Sequence, residues 1–126
     1  MRAFGLEALI RSAHDGDTLY GDIDQGLGVW NRGLSKSGMG LRLWGCNARE
    51  IEDPGGPEAR ARLLQLVPIG SIQPIVCLDW DKWSGRIDVQ ITLSTGEDLV
   101  DKLIAEQWAA RWNGKGAKPV PPWPRT

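Results

Sequence analysis

Apolar and polar residues alternate along several short segments of this chain, which is the pattern of strands with one buried face. Thr18 to Asp24 is the clearest case, because its apolar residues fall at roughly every second position. The same reading predicts five strands, at 2–13, 17–24, 40–46, 72–80 and 86–94. The first two strands are joined by the tight turn at Asp15-Gly16.

Two segments instead carry the spacing of an amphipathic helix. The first begins at 53–58, where prolines and an acid precede the apolar positions of 59–67, and Pro68 and Gly70 end it. The second is predicted over 97–110, with an apolar stripe at Leu99, Leu103, Ile104 and Trp108.

The predicted order is therefore βββ-α-ββ-α. Five strands in one small chain leave two bare edges unless the sheet closes. We therefore expect a β-rich α+β fold, a five-stranded OB-fold barrel with two helices. We expect residues 1–112 to form the domain and 113–126 to form a Gly/Pro-rich basic tail. The insert at 25–39 is expected to place an apolar flap against the barrel, through Leu27, Val29, Trp30 and Leu34.

Composition supports one turn-rich globular domain. The chain has 126 residues with 16 Gly and 8 Pro, and its formal charge of −1 gives no overall basic field for a nucleic acid. Any such binding must come from local clusters, such as the basic residues after Glu106. Cys46 and Cys77 are expected to be buried free thiols. No long apolar run is present, so we expect a cytoplasmic or phage-encoded soluble protein, or a secreted one if a leader was removed.

Asp15 and Asp17 are the first candidates for chemistry. Alternate residues of an extended segment point the same way, so both carboxylates can face one cation. The alternative is structural, because Asp-Gly is a common hairpin turn that Asp17 would cap. The neighbouring His14, the only histidine, is expected to have no role.

Arg42, Glu50 and Arg86 form the second group of candidates. Each arginine is either an ordinary surface residue or a guanidinium that holds two phosphate oxygens. Glu50 follows the third strand in a loop, where it is either an exposed acid or a group that deprotonates water. The case for chemistry depends on the three occurring together.

Four motifs extend this constellation: Asp15-Gly16-Asp17-Thr18, the segment from Arg42 to Glu50, Gly56-Pro57-Glu58-Ala59, and Gly85-Arg86. In this order they resemble the staphylococcal (thermonuclease-type) nuclease family over about residues 5 to 112. The resemblance implies an OB-fold enzyme that uses Ca²⁺ to hydrolyse DNA or RNA, leaving 3′-phosphate ends.

The same resemblance assigns roles to individual residues. Asp17 would ligate Ca²⁺ with Asp15 nearby, and the Ala48 carbonyl and Asn47 would complete the metal site. Arg42 and Arg86 would clamp the phosphate, and Glu50 would be the general base. Lys82, Trp83 and Trp112 would contact nucleic acid, in single-stranded or frayed form, by phosphate pairing and base stacking.

The chain departs from the family pattern at two positions. Asn47 stands where the family has a second aspartate, so Ca²⁺ should bind more weakly, and Arg49 stands where it has proline. Asn47 and the near-neutral formal charge favour an alternative, which Arg42, Glu50 and Arg86 together oppose. The alternative is a non-catalytic module of the same fold that binds single-stranded nucleic acid or a protein partner. Trp44, Trp80 and Trp108 are expected to pack in the core or cap the barrel.

Overall fold

A computed structural model of the chain describes residues 4–32, 38–81 and 86–122. Within these ranges two helices are present, α1 at Gly56–Leu66 and α2 at Leu99–Ala105. The strands of the described residues are β1 Phe4–Ala13, β2 Thr18–Asp24, β3 Trp30–Asn31, β4 Met39–Leu43, β5 Cys46–Ala48, β6 Ile72–Asp81, β7 Arg86–Ile91 and β8 Ala109–Arg111.

Five strands close into a barrel. They follow the order β1-β6-β7-β4-β2, and β1 pairs again with β2 to complete the ring. All pairings in the ring are antiparallel except β4 with β7, whose parallel register sets Gly40 beside Arg86 and Arg42 beside Asp88. The predicted class, a β-rich α+β fold with an OB-fold-like barrel, is therefore confirmed.

The barrel interior is filled by the inward-facing residues of all five strands. Leu19, Leu41 and Val89 are among the residues with no exposed surface, and α1 contributes Leu63 to the same core. The 3.6-residue period of α1 brings Ala59 and Leu63 to one face, and burying such side chains contributes roughly 1.5–3 kcal/mol each for the large ones. Cys46 and Cys77 are free and buried as predicted, and burial raises the pKa of the Cys46 thiol to about 12.

The strand predicted over 86–94 ends at Ile91, and two other predicted elements end early near a residue with positive φ. The strand over 40–46 breaks at Trp44-Gly45, because Gly45 takes a φ of 99° that turns the chain, and β5 begins beyond it. The helix over 97–110 ends at Ala105, and Gln107 takes a φ of 70°. Residues 109–111 then pair with β5 instead, since that strand has a free edge to which they add.

The predicted apolar flap is also wrong where the structure describes it. Leu27 is fully exposed, and Val29 and Trp30 are exposed as well. Gly26, Leu27 and Gly28 all have positive φ, so the chain makes a tight turn that points these side chains away from the barrel. Leu34 lies outside the described residues. None of the helices that the structure describes is both long and apolar enough to cross a membrane.

Candidate functional site

The turn between β1 and β2 carries the two aspartates at one end of the barrel. The His14 amide donates to the Thr18 carbonyl at 2.8 Å, and the Asp17 amide donates to Asp15 Oδ1 at 3.1 Å. Both aspartates are buried. Gly16 fits between β5 and α1, where an added Cβ would lie only 2.8 Å from the Cβ of Ala59 and 2.9 Å from that of Ala48. The turn is therefore fixed by the elements on both sides of it.

Asp17 ties three segments together. Its Oδ2 accepts from the Ala48 amide at 2.7 Å and lies 3.3 Å from Nη1 of Arg42, while its Oδ1 accepts from the Thr18 hydroxyl at 3.0 Å. Ala48, predicted as a carbonyl ligand, is thus brought to Asp17 through its N–H. Both oxygens of Asp17 already have partners within the protein.

Asp15 lies in an environment that disfavours its ionised form. Burial raises its pKa from 3.8 to about 7, and the hydrogen bond and charge of Asp17 and the charge of Glu50 add to the rise. A bound cation would compensate the negative charge of ionised Asp15.

Ligand atoms of His14, Asp15 and Glu50 lie within 4.8 Å of one another. This places the predicted acids together and adds His14, for which no role was predicted; its position next to Asp15 was the only signal in the sequence. The described part of the chain also leaves Asn47 Oδ1 buried without a hydrogen-bond partner. Carboxylate and amide oxygens with one imidazole fit a divalent cation.

Arg42 joins this acidic site to a neighbouring cleft. Its guanidinium contacts Asp17 and donates to the carbonyls of Leu43 at 2.9 Å and Cys46 at 3.0 Å, so it also holds the turn between β4 and β5. The side chain is only 12% exposed. Arg42 is therefore a structural clip as well as a candidate phosphate ligand.

The cleft has a volume of about 290 Å³ and brings Arg42 and Arg86 to one surface. Trp112 and Lys115 line it as well, and Asp88 is its one acid among the described residues. The two predicted arginines, carried by strands far apart in sequence, thus share a cleft that is mostly basic. Lys82 and Trp83 lie outside the described residues.

Trp44 also lines this cleft and is 45% exposed, so its assignment to the core or barrel cap is wrong. It occupies the turn that Gly45 creates, and the Gly45 carbonyl accepts from the Trp112 amide at 2.9 Å. The indole N–H of Trp112 donates to the Lys115 carbonyl at 3.0 Å. Trp112 is therefore held in the cleft by hydrogen bonds to two backbone carbonyls.

The segment after Trp112 lies against the loop that carries Glu50. The Asn47 amide Nδ2 donates to the Pro119 carbonyl at 3.0 Å, and Arg49 donates to the Pro121 carbonyl at 3.0 Å. Lys118 Nζ lies 3.7 Å from Glu50 Oε1. The side chains of Asn47 and Arg49 thus bind this segment.

A larger cleft, of about 590 Å³, lies beside β1 and β6 and contains none of the predicted site residues. Its titratable lining is acidic, Glu7 and Asp24, which does not suit a phosphate. We therefore place the candidate site at the basic cleft and the acidic site beside it. No protein-family model matches the chain, and no curated protein matches it in sequence.

Proposed function

We propose that this protein is a Ca²⁺-dependent nuclease that hydrolyses phosphodiester bonds of single-stranded DNA or RNA. One observation carries the proposal: Arg42 lines the same cleft as Arg86 and contacts Asp17 of the acidic site at 3.3 Å. A cation site beside two guanidinium groups suits the binding and cleavage of a phosphodiester, because all three groups stabilise negative charge on the phosphate oxygens.

The acidic residues have different roles around the cation. Asp15 and Glu50, with His14 and Asn47 Oδ1 as additional donors, would hold it, while Asp17 keeps the turn and Arg42 in place. When bound, the cation supplies positive charge for the phosphate and lowers the pKa of a water molecule. Glu50 has two carboxylate oxygens, so besides holding the cation it would accept the proton of the attacking water; it is the most exposed carboxylate of the group, with 43% of its side chain accessible.

The arginines bind the phosphate. Arg86 is exposed at the start of β7 and can present its planar fork to two oxygens. Arg42 uses part of its donor set on backbone carbonyls, and the residue also lines the cleft. Charge spread over the phosphate oxygens in the transition state is stabilised by these fixed donors.

The substrate class follows from the aromatic walls. Trp44 and Trp112 offer flat faces on which unpaired bases stack, and each such contact is worth about 1–3 kcal/mol. Bases of a duplex are already stacked and paired. We therefore propose single-stranded or frayed nucleic acid as the substrate, with Lys115 pairing with a phosphate.

The test is cleavage of labelled denatured DNA and RNA in millimolar Ca²⁺. We expect cleavage to be lost when a chelator is added, and to be lost in the Glu50→Gln variant. Glu52→Gln is the matched control, because Glu52 is an exposed acid of the same loop. Arg86→Ala should slow cleavage on the order of 10³-fold, as loss of a phosphate-stabilising arginine does in phosphoryl transfer. Cleavage that survives both the chelator and Glu50→Gln would refute the proposal.

The second candidate is a non-catalytic module that binds single-stranded nucleic acid through the same cleft. It is favoured by Asn47, because its side-chain nitrogen already donates a hydrogen bond to the Pro119 carbonyl. An amide at this position also gives the site one negative charge fewer than an aspartate would. Retained gel-shift binding without any cleavage, with Arg86→Ala weakening the binding, would establish this module in place of the enzyme.

A further inference from the structure

Residues 113–122, which we call the strap, follow β8 and lie along β5 and the Glu50 loop. Two side-chain donors two residues apart, Asn47 and Arg49, bond to carbonyls two residues apart in the strap, those of Pro119 and Pro121. Pro121 is buried. The strap is therefore seated in one register.

This register brings Lys118 to the acidic site. Its Nζ lies 3.7 Å from Glu50 Oε1 and 5.8 Å from the centre of the Trp112 ring. Lys118 is thus the ammonium group that the described structure places beside Glu50. Asp15 adds a second carboxyl group to this site, since Asp15 and Glu50 offer oxygens within 4.8 Å of each other.

A divalent cation ligated by Glu50 would lie about 2.3–2.6 Å from a carboxylate oxygen. An ammonium group close to the same carboxylate repels such a cation and offsets the negative charge that would attract it. The two positive groups therefore compete for one oxygen-rich site.

We propose that the strap regulates the candidate metal site, with Lys118 and the divalent cation as alternative occupants beside Glu50. The inference rests on the proposed cation site. By reciprocity, a strap that loses its Lys118 charge leaves the cation bound more tightly, and a bound cation drives Lys118 away from Glu50. Asn47 and Arg49 hold the strap in place through their hydrogen bonds, so Lys118 competes with the cation from a position close to Glu50.

Calcium titration calorimetry on the full chain tests this inference without relying on activity. Lys118→Met removes the charge but keeps the length of the side chain, and Lys118 is more than half exposed, so the fold is not at risk. Lys102→Met is the matched control, because it loses the same charge from α2, where Lys102 pairs with Glu97 and Glu106. We expect Ca²⁺ to bind about three- to tenfold more tightly to Lys118→Met than to the unmodified protein, and no change in Lys102→Met.

The other outcomes separate the two proposals. Equal Ca²⁺ affinity in Lys118→Met and the unmodified protein overturns the competition but leaves the cation site standing. Equal tightening in Lys118→Met and Lys102→Met also overturns it, because the effect would then be one of net charge. Absence of Ca²⁺ binding in all three proteins up to tens of millimolar overturns the cation site, and the regulation with it.

Discussion

Asp15 offers a direct test of the electrostatics of the candidate site. Asparagine at this position keeps the shape of the side chain, and its Oδ1 can still accept from the Asp17 amide. Its Nδ2 can donate to the Asp17 carboxylate, as protonated Asp15 does. The variant Asp15→Asn is therefore a fixed copy of the neutral state, and it removes the cost of holding a buried negative charge beside two others.

The magnitude follows from the pKa. A rise from 3.8 to about 7 corresponds to at most about 4 kcal/mol, at about 1.36 kcal/mol per pKa unit. Glu50 contributes to the rise, and solvent screens its repulsion because 43% of its side chain is exposed. We therefore expect Asp15→Asn to raise the free energy of unfolding by about 2 kcal/mol above neutral pH.

The pH dependence has a definite sign. Between 3.8 and about 7 the folded chain retains a proton on Asp15 that the unfolded chain releases. The stability contributed by this proton is present at low pH and is lost as pH rises through the window. The advantage of Asp15→Asn should thus be near zero at about pH 4 and reach its full value at about pH 8.

Urea unfolding followed by tryptophan fluorescence, with chelator present, measures this difference across the pH range. Taking the difference between the two proteins cancels the other titrating groups. An advantage of Asp15→Asn that is independent of pH would refute the reasoning, and so would destabilisation at about pH 8.

Three further variants probe the scaffold and the cleft. Gly16→Ala should lower stability by about 1–3 kcal/mol in urea unfolding, because its Cβ overlaps that of Ala59; a stability equal to that of the parent would show that the turn shifts freely. Trp44→Ala should weaken gel-shift binding of single-stranded DNA about tenfold at unchanged stability, and unchanged affinity would contradict the stacking surface. Arg62→Met removes the paired bonds of 2.7 and 2.8 Å to Glu106 and should cost about 1 kcal/mol at neutral pH. That cost should vanish in acid, because Arg62 lowers the pKa of Glu106 and the protonated acid no longer pairs; a cost that persists in acid would contradict the pairing.

The barrel was predictable because strand periodicity is a local signal. β2 and β6 form where strands were predicted, and the order of elements then leaves few ways to avoid bare sheet edges. The end of α2 was not predictable in this way. Apolar spacing continues to Trp108, but pairing with β5 across the chain takes residues 109–111 into a strand. A long-range partner overrides local preference there.

The candidate site was also predictable only where the signal is local in sequence. The motif residues Asp15, Glu50 and Arg86 could be named from the sequence, because each occurs in a short recognisable segment. Lys118 could not, because the strap that carries it is held through a bond between Asn47 and Pro119, 72 residues apart. Spacing along the chain contains no information about a contact at that separation.

The close fit of Gly16 against Ala48 and Ala59 has a consequence for the history of this fold. The three positions share one small volume, with Cβ-to-Cβ distances that leave no room for growth at position 16. A larger residue at 48 or 59 would push on the turn that carries both aspartates, so a change in α1 would be felt as a change in the spacing of Asp15 and Asp17. In related chains the residues at positions 16, 48 and 59 should therefore change together. Substitutions should accumulate more slowly on the face of α1 that contacts the turn than on the face that contacts solvent.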